Sequence, residues 1–301
     1  MLRLFLLLPL WLVPFGVWSQ LPLPPTSADH YQRIISLNQH STELLLQLGL
    51  ADRMVGSAYA DEAIWPPLAK QYAQVPVLSR YYPNKETLLL QQPDLLIGGF
   101  ASAFTTAGIG PQQWWQARGI DCYLMTPPAD SPADLATLFE QIRSLGELLG
   151  VEQAAQAEIA RQQAQLDQRH TLPYQPTVIL WLRGDDAPYV AGGTGFAHNL
   201  IEQAGAINGA AAIPRPFATL SWEQVIAAQP DLIVLVDSNW SPAKAKQQLL
   251  NQQAGLSRAL GHIPTLSLPF SETMDGVRSS QGILHLNQAL AQLPTPSKEL
   301  R

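Results

Sequence analysis

Aromatic and polar side chains follow most of the short aliphatic runs in this chain. Arginines stand among them, and the set occupies positions 38–40, 59, 80–82, 100–104, 181–186, 192–196, 237–240 and 270–272. Aromatic rings bury a large area against a flat ligand, and arginine donates paired hydrogen bonds to a carboxylate or phosphate. These residues predict a binding surface for a sizeable rigid ligand with flat faces and some anionic groups. The alternative is that several of the rings belong to the hydrophobic core.

Histidine offers little for a metal site. The six histidines, at positions 30, 40, 170, 198, 262 and 285, show neither an HExxH motif nor a paired spacing. A site for a bare transition-metal ion needs three or four converging ligands. His40 alone has a suggestive place, between the first predicted strand and its helix. It is interpreted either as a metal or haem ligand or as a hydrogen-bonded loop histidine.

Signals for an enzyme are weak. The sequence contains neither the G-x-S-x-G motif nor a P-loop, and Asp185-Asp186 is more typical of a solvated turn than of an acid–base pair. The single cysteine, Cys122, excludes an internal disulfide and any site built from several cysteines. An exported hydrolase that uses Asp185 or Asp186 is the alternative to a protein that only binds its ligand.

Composition and charge exclude a further class of function. The 301 residues are 47% apolar and 14% charged, which is ample material for a sizeable hydrophobic core. The net charge is −6 and the isoelectric point about 5.5. Nucleic-acid binding needs a broad basic face, so we expect no nucleic-acid partner.

The elements that would position these residues form two similar halves. Short aliphatic runs alternate with helical patterns over residues 20–130 and again over 171–301, which predicts two Rossmann-like α/β lobes with parallel-rich sheets. In such lobes ligands lie beyond the carboxyl ends of the strands, where the aromatic and polar residues fall. Residues 131–170 show helical periodicity and predict a long rigid connector, either one helix or two in sequence.

One short pattern occurs in both halves. ETLLLQQPDLLI begins at Glu86, and EQVIAAQPDLIV begins at Glu223. In each copy the glutamate precedes a proline by seven positions, and Gln-Pro-Asp-Leu leads from a helix into an aliphatic run. The first turn of a helix favours a glutamate through the helix dipole, so the two residues could be ordinary surface residues.

The first nineteen residues resemble a signal peptide. Arg3 supplies the positive end, Leu4 to Val17 are mostly apolar, and Val17 and Ser19 suit cleavage before Gln20. The alternative is a membrane anchor, but the apolar run is short and contains Pro9 and Pro14. We therefore expect an exported, soluble mature chain.

The chain resembles a known family, the periplasmic substrate-binding proteins of ABC importers for iron–siderophore complexes, haem and cobalamin. The resemblance covers nearly the whole mature chain. It rests on RIISLNQHSTELLLQLGLADRMVG, PNKETLLLQQPDLLI, the helical middle region, GGTGFAHNLIEQAGAINGAA and SWEQVIAAQPDLIVL, in this order. The combination is specific for the family and weak for the ligand.

The resemblance implies a function and the residues that serve it. It implies a periplasmic receptor that carries a metal chelate between its lobes to the dimeric permease of an ABC importer, with no enzymatic activity and no intrinsic cofactor. We expect a monomer. The implied ligand contacts are Tyr59, Tyr82, Phe100, Phe104, Trp181, Trp240 and Arg278. Glu86 and Glu223 would dock to the permease, one on each lobe. The alternative is a receptor for a bare zinc, manganese or iron ion, with His40 as a ligand.

Overall fold

The computed structural model describes residues 31–125 and 133–295, which form two α/β lobes joined by helices. This confirms the predicted fold class. The predicted signal peptide, residues 1–19, lies outside the described residues. Among the described residues no helix combines the length and the apolar character needed to cross a membrane.

The N-terminal lobe is built on a parallel sheet. Its strands are β1 (Ile34–Ser36), β2 (Met54–Ala58), β3 (Val77–Ser79), β4 (Leu95–Gly98) and β5 (Asp121–Leu124), and its helices are α1 (Gln39–Gln47), α2 (Ala69–Tyr72), α3 (Lys85–Leu90) and α4 (Gln112–Gln116). The strand order is β3-β2-β1-β4-β5, and every pair is parallel. Strands β1 and β4 are fully buried, which explains why they appear in the sequence as unbroken apolar runs.

The connector consists of two helices, α5 (Leu135–Leu149) and α6 (Glu152–Leu166). Gly150 ends α5 in the left-handed conformation (φ 66°), so the single long helix that we considered is not formed. A Cβ on Gly146 would lie 2.5 Å from that of Ala155, so the two helices cross at close range. Each helix spans about 22 Å, which shortens the reach of the connector but leaves it stiff.

The C-terminal lobe carries a mixed sheet. Its strands are β6 (Thr177–Arg183), β7 (Tyr189–Ala191), β8 (Ile207–Asn208), β9 (Phe217–Thr219), β10 (Leu232–Asp237) and β11 (Thr265–Pro269), and its helices are α7 (Phe196–Gln203), α8 (Trp222–Ala227), α9 (Ala243–Gln252), α10 (Ala254–Leu260) and α11 (Ser279–Ala291). The order is β11-β10-β6-β7-β9, with β8 pairing with β6. Strand β7 is antiparallel to both neighbours, and the other pairs are parallel.

The repeated sequence pattern builds the same structure in both lobes. Asn84 caps α3 and Ser221 caps α8, so Glu86 and Glu223 are each the second residue of their helix. Each helix is followed by a glutamine with φ 47°, at Gln92 and Gln229. The aspartate that follows the proline then accepts backbone amide hydrogens at the start of the neighbouring strand, as Asp231 does from Thr177 at 2.7 Å.

One hydrophobic cluster runs through all three parts of the chain. It contains Ile34 and Leu44 of the N-terminal lobe, Ile142 of α5, and Val178 and Leu200 of the C-terminal lobe. The lobes therefore share a core with the connector, and we expect this continuity to restrict motion between them.

Candidate ligand-binding site

A cleft lies where the carboxyl ends of strands from both lobes face each other. Its volume is about 1020 Å³. The N-terminal lobe contributes residues that follow β2, β3 and β4, namely Tyr59, Ala60, Asp61, Arg80, Tyr81, Tyr82, Phe100 and Ser102. The C-terminal lobe contributes Leu182, Arg183, Gly184, Asp185, Tyr189, Phe217, Asn239, Trp240, Ser241, Phe270 and Met274. This is the place where parallel α/β sheets bind ligands.

Tyr59 is held in an unusual backbone conformation. Its φ is 59°, in the left-handed region that costs a residue with a side chain about 1 kcal/mol or more. The ring lies 4.7 Å from that of Tyr82 and 5.8 Å from that of Tyr81, measured between centroids. Burial raises the pKa of the phenol. The strained turn therefore keeps an apolar ring and a neutral hydroxyl at the cleft wall.

Hydrogen bonds fix the neighbouring side chains of the N-terminal wall. The Asn38 amide nitrogen donates to the Tyr82 hydroxyl (3.3 Å), and its oxygen accepts from the Gly99 backbone amide (3.0 Å). Tyr82 also bonds Ser102 at 2.9 Å. Because Asn38 and Gly99 follow the adjacent strands β1 and β4, the ends of the sheet orient Tyr82.

The C-terminal wall consists of two aromatic pairs. Trp240 and Phe270 meet edge to face with centroids 5.5 Å apart, whereas Tyr189 and Phe217 stack at 5.6 Å with an interplanar angle of 22°. Trp240 remains 43% exposed, so much of its surface is free to contact a ligand. Ring faces on both walls suit a large ligand with flat apolar surfaces.

Each lobe also brings one arginine to the cleft. The guanidinium of Arg80 lies 5.6 Å from the Tyr81 ring, and that of Arg183 lies 4.9 Å from the Tyr189 ring. Both arginines are exposed, so their donors remain available to carboxylate or phosphate groups of a ligand.

Asp61 is the buried acid of the cleft. The side chain is 4% exposed, and its Oδ1 accepts a hydrogen bond from Trp240 Nε1 of the other lobe at 3.1 Å. No described residue bonds its Oδ2. Burial raises the pKa of this carboxyl to about 6, while the Trp240 hydrogen bond opposes the shift.

Four of the seven predicted ligand contacts line the cleft: Tyr59, Tyr82, Phe100 and Trp240. Phe104 belongs instead to the N-terminal core, where its ring packs so close to Gly98 that a Cβ there would lie 2.8 Å away. Trp181 is 1% exposed, meets Trp222 edge to face, and donates to the carbonyls of Arg183 and Gly184. Trp181 therefore holds the Arg183–Gly184 segment of the cleft from the side of the core.

Arg278 also lies outside the cleft lining. Its guanidinium is 5% exposed and forms ion pairs with Glu43 and Glu62. The two carboxylates already bind its donors, so we do not retain Arg278, Phe104 or Trp181 among the proposed ligand contacts.

His40 is a buried neutral side chain. It is 3% exposed, its ring lies 4.6 Å from that of Phe100, and a Cβ on Gly99 would lie 2.1 Å from its Nε2. Burial lowers the pKa of His40 to about 4. Among the described residues, no group of three or more His, Cys, Asp or Glu side chains could hold a metal ion.

Some cleft residues follow from a feature that the sequence analysis missed. Tyr189 and Phe217 lie on the antiparallel pair β7 and β9, whereas the predicted parallel-rich lobes place cleft residues only after the carboxyl ends of strands. A short turn containing Gly184, whose φ is 88°, joins β6 to the antiparallel β7. The GDDAP segment between two β-rich runs is a hairpin signal that could have placed Tyr189 at the cleft.

The repeated glutamates lie outside the cleft, on the surface of each lobe. Glu86 and Glu223 are both exposed. The Ser221 hydroxyl is the main cause that lowers the pKa of Glu223, which keeps this carboxylate ionised.

A family model and a known protein both match this chain in sequence. The family model described as periplasmic binding protein matches residues 34–265. The chain is 28% identical over 204 residues to a vitamin B12-binding protein of Vibrio campbellii, covering 67% of this chain and 70% of that protein.

Solved structures show the same fold. A periplasmic binding protein from Veillonella parvula is 26% identical with a TM-score of 0.80, covering 89% of this chain and 93% of that one. The apo form of the periplasmic heme-binding protein RhuT from Roseiflexus sp. RS-1 is 27% identical with a TM-score of 0.67, covering 87% and 98%.

Proposed function

Since the chain belongs to the periplasmic binding protein family, we propose that it captures a metal chelate in the cleft between its lobes and delivers it to the permease of an ABC importer. Members of this family are periplasmic solute-binding proteins rather than enzymes. The relatives named above are described as binding vitamin B12 and haem, which supports a haem, corrinoid or siderophore complex as the ligand.

The observation that carries the proposal is the composition of the cleft. Its volume of about 1020 Å³ suits a ligand at the upper end of the small-molecule range. Rings from both lobes supply flat apolar contact, and Arg80 and Arg183 approach from opposite walls. A rigid chelate with anionic groups on its periphery would use both features. Export through cleavage before Gln20, to the periplasm, belongs to the same proposal.

A receptor for a bare metal ion gains no support from these residues. Buried His40 has no acidic or histidine partners in the described part of the chain that would complete a metal site. The hydrolase alternative gains no support either: Asp185 is an exposed residue of the cleft lining, and the buried acid of the cleft, Asp61, accepts its hydrogen bond from Trp240 rather than from a nucleophile.

Delivery requires a surface that the permease recognises, and we propose Glu86 and Glu223 for it. They occupy equivalent places in the two lobes, each exposed and each second in a capped helix. Two equivalent carboxylates suit a two-fold partner with basic docking sites, because complementary charge sets register and encounter rate.

Tryptophan fluorescence tests ligand capture. Titration with haem, cyanocobalamin and a ferric hydroxamate should give saturable quenching with at least one of them at micromolar concentration. Trp240→Phe should weaken both quenching and affinity. Trp114→Phe is the matched control, because this ring packs between Lys85 and Arg118 away from the cleft. Absence of quenching by all three probes would count against the proposal.

A further inference from the structure

A short segment of the N-terminal lobe is bound along its length by the C-terminal lobe. The segment is Asp61–Ala63, which follows β2 and the cleft residue Tyr59. The carbonyl of Asp61 accepts from the Asn239 amide at 2.9 Å. The Glu62 carboxylate accepts from the amides of Phe270 at 2.8 Å and Ser271 at 3.3 Å.

Arg278 completes this junction from the start of α11. Its Nε donates to Glu43 at 2.8 Å, its Nη1 to Glu62 at 2.9 Å, and its Nη2 to the carbonyl of Ala63 at 3.1 Å. Nη2 also donates to Glu43. The guanidinium thus binds three groups of the opposite lobe with donors that point in fixed directions.

The position of Arg278 is costly without its partners. It precedes the first residue of α11, where the positive end of the helix dipole disfavours a cation. Its side chain is 5% exposed and that of Glu43 is 1% exposed. Separating the lobes here would break these charge-assisted hydrogen bonds, and removing the guanidinium would leave two largely buried carboxylates without their counter-charge, so the lobes are held together at this point.

The cluster lies directly beside the cleft. Asp61 bonds the cleft ring Trp240, Phe270 lines the cleft and bonds Glu62, and Met274 lines it four residues before Arg278. A change in the cluster would therefore reach Trp240 and Phe270, the edge-to-face pair of the C-terminal wall, through the Asp61–Ala63 segment.

We infer that Arg278 is a positioning residue that, through Glu43 and Glu62, fixes the separation of the two lobes and thereby the size of chelate that the cleft accepts. The part that concerns ligand size depends on the proposed function. The part that concerns lobe separation does not, so the two can fail independently.

Inter-lobe distance is the direct readout. Spin labels at Lys70→Cys and Lys244→Cys, in a Cys122→Ser background, mark exposed sites on the two lobes for pulsed electron spin resonance without ligand. Arg278→Met should broaden the distance distribution and shift it. Arg278→Lys, which keeps the charge without the fork, should restore part of the wild-type distribution. Arg143→Met, on the exposed face of α5, should leave it unchanged.

Ligand selectivity is the second readout. The affinities of haem, cyanocobalamin and a ferric hydroxamate should change unequally in Arg278→Met, with the best wild-type ligand losing about tenfold. Arg80→Met should lower affinity without moving the labels.

Glu62→Gln is the second variant, and it tests the inference if Arg278→Met does not fold. It removes the charge that faces Arg278 but keeps an acceptor for the Phe270 amide. Wild-type distances and ligand preferences in Glu62→Gln, or in folded Arg278→Met, would overturn the inference. A wild-type protein that binds no probe would instead remove the proposed function.

Discussion

Asp61 is the cleft residue whose ionisation has the clearest energetic consequence. One carboxylate oxygen bonds Trp240 across the cleft, and the other lies buried with no bond from a described residue. Burial raises the pKa of this carboxyl from 3.8 to about 6, so the folded protein holds a proton that the unfolded chain releases between these values. The stability that Asp61 contributes is therefore fully present below pH 3.8 and is lost as pH rises through 6.

Asp61→Asn should remove this dependence. The amide oxygen still accepts from Trp240, and the side chain carries no charge at any pH. The free energy of unfolding of the variant, relative to wild type, should rise by up to about 3 kcal/mol between pH 4 and pH 7. Urea denaturation across this range measures it, with exposed Asp186→Asn as control. A difference that stays constant with pH would show that burial of Asp61 has no such effect.

For single residues, a place at the cleft edge of one lobe is easier to predict from the sequence than a contact between the two lobes. Tyr59, Tyr82, Phe100 and Trp240 follow strands, and the carboxyl edge of a sheet is readable from the order of apolar runs. Arg278 could not be placed in this way, because its acidic partners precede it by 235 and 216 residues. Nothing local in the sequence indicates that its donors are already bound.

Among the elements, the repeated helix-to-strand connection contains two kinds of residue, a structural aspartate and an exposed glutamate that we propose for docking. Asp94 accepts from the amides of Gln32 (2.7 Å) and Arg33 (2.9 Å), and Asp231 accepts from that of Thr177 (2.7 Å). Both aspartates join the start of a central strand to its neighbour. The glutamates of the same pattern are exposed, so they are free to serve a partner.

Asp231→Ala should lower the free energy of unfolding by roughly 1–3 kcal/mol, because the Thr177 amide loses its carboxylate acceptor. Asp231→Asn keeps an acceptor oxygen and should cost less. Glu223→Ala lies eight positions earlier in the same pattern and should change stability by less than about 0.5 kcal/mol. Guanidinium denaturation followed by circular dichroism compares the three. Equal midpoints for Asp231→Ala and wild type would contradict the structural role of the aspartate.

Two features at the scale of elements depended on tertiary structure. Helical periodicity continues through Gly146 and Gly150, so the sequence left open one helix or two, and the packing of Ala155 against Gly146 accompanies the two-helix form. The antiparallel strands β7 and β9 are three residues each, too short for their direction to show in apolar periodicity.

Across the whole molecule, four features connect the two lobes. The shared hydrophobic cluster and the two connector helices form the base, and the ion-pair cluster around Arg278 lies nearer the cleft. Bonds from Asp61 to Asn239 and Trp240 then cross the cleft wall itself. With these bonds in place, we expect ligand binding to change the lobe arrangement only slightly, so a permease would meet Glu86 and Glu223 at a nearly constant spacing.

Nearly constant spacing makes charge reversal of both glutamates a sharp test of the proposed docking. Glu86→Arg with Glu223→Arg should leave chelate affinity unchanged, because neither residue is among those that line the cleft, and should abolish uptake by proteoliposomes that contain the cognate permease. Each single change should retain part of the uptake, since one lobe would still present its carboxylate. Glu152→Arg is the matched control, an exposed glutamate in the first turn of α6. Wild-type uptake by the double variant would exclude these residues from docking, whereas equal loss in Glu152→Arg would indicate a general effect of added positive charge.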